Sequence, residues 1–289
     1  MNQRHCESKW CHIMVAVFLL CWIIGAVTDT EGQSLEEPLV AFQWNPHFEC
    51  FLKNKDVCAS PAKESGANML KSYNVDFANF IEIEDASYAP PAGFGMVGGN
   101  VCKQKPYGDW ATLVYNATKW SPKGSASSGC LPADDGSARA FVVQDFLHAG
   151  SGLLITVAGI HFPHPNFTSP SYYKVTTDFL SGLFASRSRV LIMGDTNLNT
   201  PNSSRSLFNQ LGFKGEPAAS SQLFNSCCNH NAYPDDWAAD RIFTNFGSYG
   251  ATWKPLGSGQ HPYQGPVWSR DVGDSWSEFH LPVMMQLNM

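Results

Sequence analysis

Charge is scarce in this chain of 289 residues: Asp, Glu, Lys and Arg together make up 15%, against roughly 25% in an average soluble chain. The formal net charge is −6, and no block of lysine or arginine occurs. A large basic footprint is therefore absent, and tight, phosphate-driven nucleic-acid binding is not expected. A hydrolase that only visits its substrate needs no such footprint. No Cys-x-x-Cys pair occurs, which removes the usual spacing of a structural zinc site. No linker and no internal repeat divides the chain, so one large domain is expected. The apolar run Ile13 to Val27 covers 15 residues, short of the roughly 20 that span a bilayer.

Hydrophobic residues make up 44% of the chain, enough for a core. Arg4 and Lys9 precede the run from Ile13, and Gly25 and Ala26 offer a cleavage point. This reads as a signal peptide over residues 1–27, with a signal anchor as the alternative. A polar, acidic spacer follows over 28–38, then a domain over 39–289. Either reading of the leader puts the body of the chain outside the cytosol, secreted or anchored at a membrane. Asn-x-Ser/Thr sequons at Asn116, Asn166 and Asn202 are expected in loops as glycosylation sites. Six cysteines lie beyond the leader: Cys50, Cys58, Cys102, Cys130, Cys227 and Cys228. An even count in an exported chain points to disulfides. Cys50 with Cys58 and Cys102 with Cys130 are the local pairings to try first, while Cys227 and Cys228 are adjacent and unsuited to bond to each other.

Strand-like runs alternate with turns and a few helices. Strands are expected at Leu39 to Trp44, Phe77 to Ile83, Ala111 to Tyr115, Arg189 to Met193, Arg241 to Asn245 and His280 to Leu287. Ala138 to Leu147 and Leu153 to His161 read as a hairpin. A helix is expected from Pro170 to Ala185, with Ser169 as N-cap and apolar residues at a 3.6-residue period. A second covers Ser204 to Leu211 and ends at Gly212. Lys123 to Gly129, rich in Gly and Ser, reads as a surface loop. Helices among many strands indicate sheets covered by helices.

The run Val190 to Asn197 carries the first chemistry. Four apolar residues end in Gly194-Asp195-Thr196-Asn197, a buried strand delivering a carboxylate and a carboxamide to a sheet edge. If strand geometry continues, both side chains leave on one face. Gly-Asp after a strand is also ordinary turn chemistry. Other strand ends add to it: Asn45, Glu82, His161, Asp195, Asn197, Asp240 and His280 each sit beside the end of an apolar run. Packing explains one or two of these. Seven, of types that bind Mg²⁺ or move protons, point to a hydrolytic site.

In order along the chain come Trp44-Asn45, Phe80-Ile81-Glu82-Ile83, Tyr107-Gly108-Asp109, Gly159-Ile160-His161, Gly194-Asp195-Thr196-Asn197, Asp240-Arg241-Ile242-Phe243 and His280-Leu281-Pro282-Val283. In order and spacing these landmarks resemble the endonuclease/exonuclease/phosphatase superfamily of metal-dependent phosphoesterases. The resemblance covers about residues 39–287. It implies an α/β four-layer sandwich of two packed mixed β-sheets flanked by helices. It implies that Glu82 and Asn45 hold Mg²⁺, with Mn²⁺ or Ca²⁺ as alternatives. His280 corresponds to the histidine that contacts the phosphate and activates water, and Asp240 to the carboxylate that orients it. Asp195 and Asn197 correspond to the pair that positions the nucleophile and stabilises phosphoryl charge. His161 corresponds to a second histidine, which protonates the leaving oxygen, and Asp109 to its carboxylate partner. A plain turn role for Asp109 remains the alternative.

One departure stands out. The superfamily usually places an acid directly before the last histidine, whereas this chain reads Ser277-Glu278-Phe279-His280. Either a bulge returns Glu278 to the site as a metal ligand or that ligand is lost. The implied substrate is a phosphoester, in a nucleic acid or a phospholipid head group, acted on by a monomer. A secreted or anchored nuclease-like phosphodiesterase comes first and a sphingomyelinase-type lipid phosphodiesterase second. Third is a catalytically inactive extracellular binding module, for which Phe279 is the best support. The aromatic stretch His261 to Trp276 is expected as a loop near the cleft.

Overall fold

Leu39–Trp44 and Val190–Asp195 are apolar at nearly every position because each lies inside a sheet with both faces covered. The computed structural model describes residues 35–52, 58–103, 108–133, 138–164, 170–197, 203–222, 226, 238–253 and 280–289. Along these run β1 (Leu39–Trp44), α1 (Phe48–Leu52), α2 (Ser60–Ser72), β2 (Phe77–Ile81), β3 (Phe94–Cys102), β4 (Asp109–Asn116), β5 (Trp120–Cys130), β6 (Ala140–His148) and β7 (Leu154–His161). Then come α3 (Pro170–Phe184), β8 (Val190–Asp195), α4 (Ser203–Gln210), β9 (Ala219–Ser220), β10 (Asp240–Thr244), β11 (Ser248–Trp253) and β12 (Val283–Asn288).

Two six-stranded sheets form, ordered β11-β12-β1-β2-β4-β3 and β5-β6-β7-β8-β10-β9. Both are mixed: β1 and β2 run parallel, as do β7 and β8, and the remaining neighbours are antiparallel. Strand alternation splits the apolar residues between two faces. Leu39, Ala41, Phe77, Ile81 and Leu113 point inward and meet Val142, Phe146, Val157, Leu191 and Met193 of the other sheet. Phe42, Trp44 and Phe80 point outward onto Ala62, Met69 and Leu70 of α2. On the other side Val143, Ile160 and Ile192 take Leu180 and Phe184 of α3 and Leu207 and Phe208 of α4. The result is the expected four layers, helix, sheet, sheet, helix.

Several elements differ from the sequence reading. Lys123 to Gly129, read as a loop, lies within β5. This strand is an edge strand paired only with β6, with a register shift between Lys123 and Ser127. Backbone pairing at an exposed edge does not require apolar side chains, so its polarity hid it. Asn116, expected in a loop, is the last residue of β4 and is buried; its Oδ1 accepts from Thr118 N at 3.1 Å and Thr118 Oγ1 at 2.6 Å. The strand expected to run to Ile83 stops at Ile81, and β12 starts at Val283 rather than His280. The helix α2 was not anticipated. It docks through Ala62, Gly66, Met69 and Leu70, two of them too small to mark an apolar stripe. Gly66 permits the close approach, because a Cβ there would sit 3.2 Å from the Phe80 ring.

Disulfides join Cys50 to Cys58 and Cys102 to Cys130, with Cα atoms 5.1 and 4.5 Å apart. The second links the ends of β3 and β5, the outer strands of the two sheets. Residues 1–34, the sequons at Asn166 and Asn202, Ser169 and the Cys227-Cys228 pair lie outside the described residues. Among the described residues no helix is long and apolar enough to cross a membrane.

Candidate active site

The parallel strands β1, β2, β7 and β8 all finish at one edge of the sandwich, where β4 and β10 begin. Every site residue singled out in the described sequence lies at this edge. Sheet register does part of the work: His161 on β7 lies beside Asp195 on β8, and Asp195 lies opposite Asp240 on β10.

Two histidine–carboxylate pairs result. His280 Nδ1 is 2.6 Å from Asp240 Oδ2. The backbone around it is fixed by Trp44 Nε1, which donates to His280 O at 3.0 Å, and by Leu281 N, which donates to Ser226 O. His161 Nδ1 is 3.1 Å from Asp109 Oδ1, and the other Asp109 oxygen accepts from Ala140 N at 2.5 Å. An acceptor on Nδ1 fixes each ring's tautomer and leaves Nε2 for proton transfer.

Asp195 lies between the pairs, its Oδ2 3.8 Å from His161 Nε2 and 3.8 Å from His280 Nδ1. The same oxygen accepts from Asn45 Nδ2 at 3.0 Å. Burial, the largest influence, raises the Asp195 pKa, but the charges of His280 and His161 and the bonds from Asn45 and Asn197 outweigh it and hold it below the usual carboxylate range. Burial likewise disfavours charge on His280, yet Asp240 and then Asp195 prevail and lift it to about 9.

Asn197 departs from the sequence reading. The strand stops at Asp195, and Asn197 has a φ of +51° instead of continuing on one face with Asp195. Its N–H returns to Asp195 Oδ1 at 3.0 Å, and its Nδ2 donates to Phe162 O at 2.7 Å. The turn and the site are thus one structure: the Asx-type bond that bends the chain also orients the carboxylate.

Glu82 follows β2 with a φ of +58°. Its Oε2 accepts from Phe48 N at 3.2 Å and lies 3.3 Å from His47 Nδ1. Its Oε1 is 3.5 Å from Arg139 Nη1 and 3.9 Å from His161 Nδ1. Burial raises the Glu82 pKa, but the His47 hydrogen bond and the charges of His161, His47 and Arg139 keep it well below the usual carboxylate range. His47, Glu82 and Asn197 all adopt positive φ, a strained state for a non-glycine residue that costs about 1–3 kcal/mol and tends to gather at functional sites.

Glu82, Asp109 and His161 bring one ligand atom each within 4.8 Å of one another and could hold a metal ion. The donor set fits a hard divalent cation, which favours a few carboxylate oxygens completed by water. Glu82 Oε1 suits it best, since Arg139 Nη1 and His161 Nδ1 stand off at 3.5 and 3.9 Å. Asn45 is more occupied: its Oδ1 accepts from His47 N at 2.9 Å while its Nδ2 serves Asp195. Glu278 and Phe279 lie outside the described residues.

Two site residues were missed in the sequence. His47 follows Asn45 closely in a turn and gives no periodic signal. Arg139 stands just before β6, where a lone arginine resembles any surface cation. Its side chain is only 14% exposed, its Nη1 lies 3.5 Å from Glu82 and 3.7 Å from Asp109, and its Nε is buried without a hydrogen-bond partner among the described residues.

No protein-family model matches the chain, and no curated protein matches it. Solved structures do. An endonuclease/exonuclease/phosphatase from Bacteroides vulgatus aligns over 88% of this chain and 100% of its own, with TM-score 0.62 and 12% identity. ANGEL2, a 2′,3′-cyclic phosphatase, aligns over 88% and 96%, with TM-score 0.60 and 12% identity. The mannosyl-6-phosphatase Bt3783 of Bacteroides thetaiotaomicron aligns over 87% and 100%, with TM-score 0.58 and 13% identity. At such identities the likeness concerns architecture, and on that point the sheet order, the layers and the neighbours agree: the chain has the endonuclease/exonuclease/phosphatase fold.

Proposed function

We propose that this chain is a secreted or membrane-anchored, metal-dependent phosphodiesterase acting on phosphate diesters in a nuclease-like manner. The observation that carries this reading is the pair of buried dyads, His280–Asp240 at 2.6 Å and His161–Asp109 at 3.1 Å, with Asp195 3.8 Å from both imidazoles. Hydrolysis of a diester needs one proton removed from water and another delivered to the leaving oxygen, and two separately oriented imidazoles meet that need. In this reading His280, held by Asp240, accepts the proton from water, and Asp195 orients that water. His161, held by Asp109, donates to the leaving oxygen. Asn197 shapes the Asp195 carboxylate through its backbone N–H and presents its amide at the same edge. Glu82 and Asn45 are the residues that would hold the cation, with Asp109 and His161 beside them. A bound divalent ion polarises a phosphoryl oxygen and offsets developing charge.

The fold neighbours include a sugar phosphatase and a cyclic phosphatase, so phosphate-ester chemistry suits the scaffold while the ester stays open. Export is supported by the leader in the sequence and by two disulfides, which persist in oxidising compartments. Plasmid nicking with Mg²⁺, repeated with a chelator, tests the reading. Metal-dependent nicking supports it. Choline-phosphate release from sphingomyelin vesicles without nicking would transfer the activity to lipids, and inertness toward both together with a generic phosphodiester would leave a binding module.

A further inference from the structure

A line of polar side chains crosses the apolar space between the two sheets and ends on the catalytic dyad. Asn79 of β2 donates through Nδ2 to Gln43 Oε1 at 2.7 Å and to Met193 O of the opposite sheet at 3.1 Å. Gln43 of β1 donates through Nε2 to Asp240 Oδ1 at 2.9 Å. Asp240 Oδ2 then meets His280. Both amides occupy inward-facing positions, on the same face as Leu39 and Ala41 on β1 and as Phe77 and Ile81 on β2, and both are fully buried.

Stability alone does not favour this arrangement. Among the described residues Asn79 Oδ1 is buried with no hydrogen-bond partner, and an unsatisfied buried acceptor carries a folding penalty. Room for it depends on Gly159 of β7, where a Cβ would fall 2.2 Å from that oxygen. Replacing a set of mutually bonded polar groups by apolar ones of like shape is often neutral or stabilising. A costly line of amides therefore runs from a backbone anchor on one sheet to a single carboxylate.

We infer that Gln43 and Asn79 are positioning residues that set the plane of the Asp240 carboxylate, and through it the aim of the His280 imidazole. The inference rests on the reading of His280 as the base. A carboxylate held by one oxygen alone can turn about its Cβ–Cγ bond. The bond from Gln43 stops that rotation, and Asn79, fixed to Met193 O, stops Gln43 from following. Both amides are fully buried, so the role assigned to them is positioning through Asp240.

The test uses the full chain with Gln43→Met, which keeps length and removes the donor. Turnover of bis(p-nitrophenyl) phosphate with Mg²⁺ is measured with the melting temperature and the downfield ¹H NMR signal of the His280 Nδ1–H. The expected result is a kcat lowered about 10- to 100-fold, KM within about twofold as follows from a defect of aim and not of binding, a melting temperature modestly below the parent's because Asp240 and Asn79 each lose a partner, and a displaced or lost NMR signal. Unchanged kcat together with an unchanged signal overturns the inference. If the parent itself shows no turnover, the base assignment fails separately, and the signal decides: displaced in Gln43→Met it supports positioning, unmoved it refutes it. Should Gln43→Met not fold, Asn79→Leu, which removes only the anchor, is read by the same measurements.

Discussion

His280 carries two separable consequences. As the proposed base, acting from its neutral form, it would contribute a step worth on the order of 10²–10⁴-fold. His280→Ala should lower turnover by that amount with metal present, and parent-like turnover would reassign the base. As a buried cation beside Asp240 and Asp195, it holds its proton more tightly in the folded protein, at about 9 against an ordinary 6.5. A raised folded pKa gives stabilisation that is complete below about pH 6.5 and fades as pH climbs through about 9. The melting temperature of the metal-free parent should thus fall across that window more steeply than that of His280→Ala; parallel curves would show that the imidazole is not held in this way. Glu82, Asp195, Asp240 and His280 were legible in the sequence because each interrupts an apolar run at its end. Arg139 was not, since its importance comes from Glu82 and Asp109, distant in the chain. Gln43 and Asn79 were visible as amides inside apolar strands, but their partner lies on another sheet, and periodicity does not report that.

Among the elements, the sequence marked those with strong periodicity or full burial. β1, β7, β8, β10 and α3 appear within a few residues of their expected bounds. β3 and β5 did not declare themselves, because edge strands are held by the backbone: β3 reads Phe-Gly-Met-Val-Gly-Gly-Asn-Val-Cys and β5 is largely exposed. The close packing of β7 gives an element-scale prediction. Gly159→Ala places a Cβ 2.2 Å from Asn79 Oδ1 and 2.8 Å from Leu113 Cδ2. Overpacking of this kind costs about 1–3 kcal/mol, to be read from a lowered urea midpoint; an unchanged midpoint would mean that the sheets separate without penalty here. The Cys102–Cys130 bond, spanning 28 residues and joining the outer strands of both sheets, should contribute about 2–4 kcal/mol. The Cys102→Ser, Cys130→Ser double variant should lose that much in equilibrium unfolding and also lower turnover, because Cys102 pairs with Asp109 and Cys130 with Ala140, whose N–H bonds the Asp109 carboxylate. Unchanged turnover at full folding would show that the sheet ladders hold Asp109 without the bond.

At the scale of the molecule, two sheets carry the site between them. β1, β2 and β4 supply Asn45, Glu82 and Asp109 from one side, and β7, β8 and β10 supply His161, Asp195 and Asp240 from the other. His280 enters just before β12 and closes the set. Residues from Asn45 to His280 meet only because the sandwich aligns its parallel strand ends, which explains why each sequence fragment was weak alone and the ordered series was informative. Among the described residues this buried edge concentrates carboxylates, imidazoles and the Arg139 guanidinium, an arrangement suited to a cation and a phosphate together. Its most direct test is turnover of a generic activated phosphodiester by the full chain, with Mg²⁺ and with chelator, alongside His280→Ala. The account predicts metal-dependent hydrolysis that the chelator abolishes and the variant lowers by about 10²–10⁴-fold. Hydrolysis indifferent to both, or none by the folded, metal-supplied parent, would contradict it.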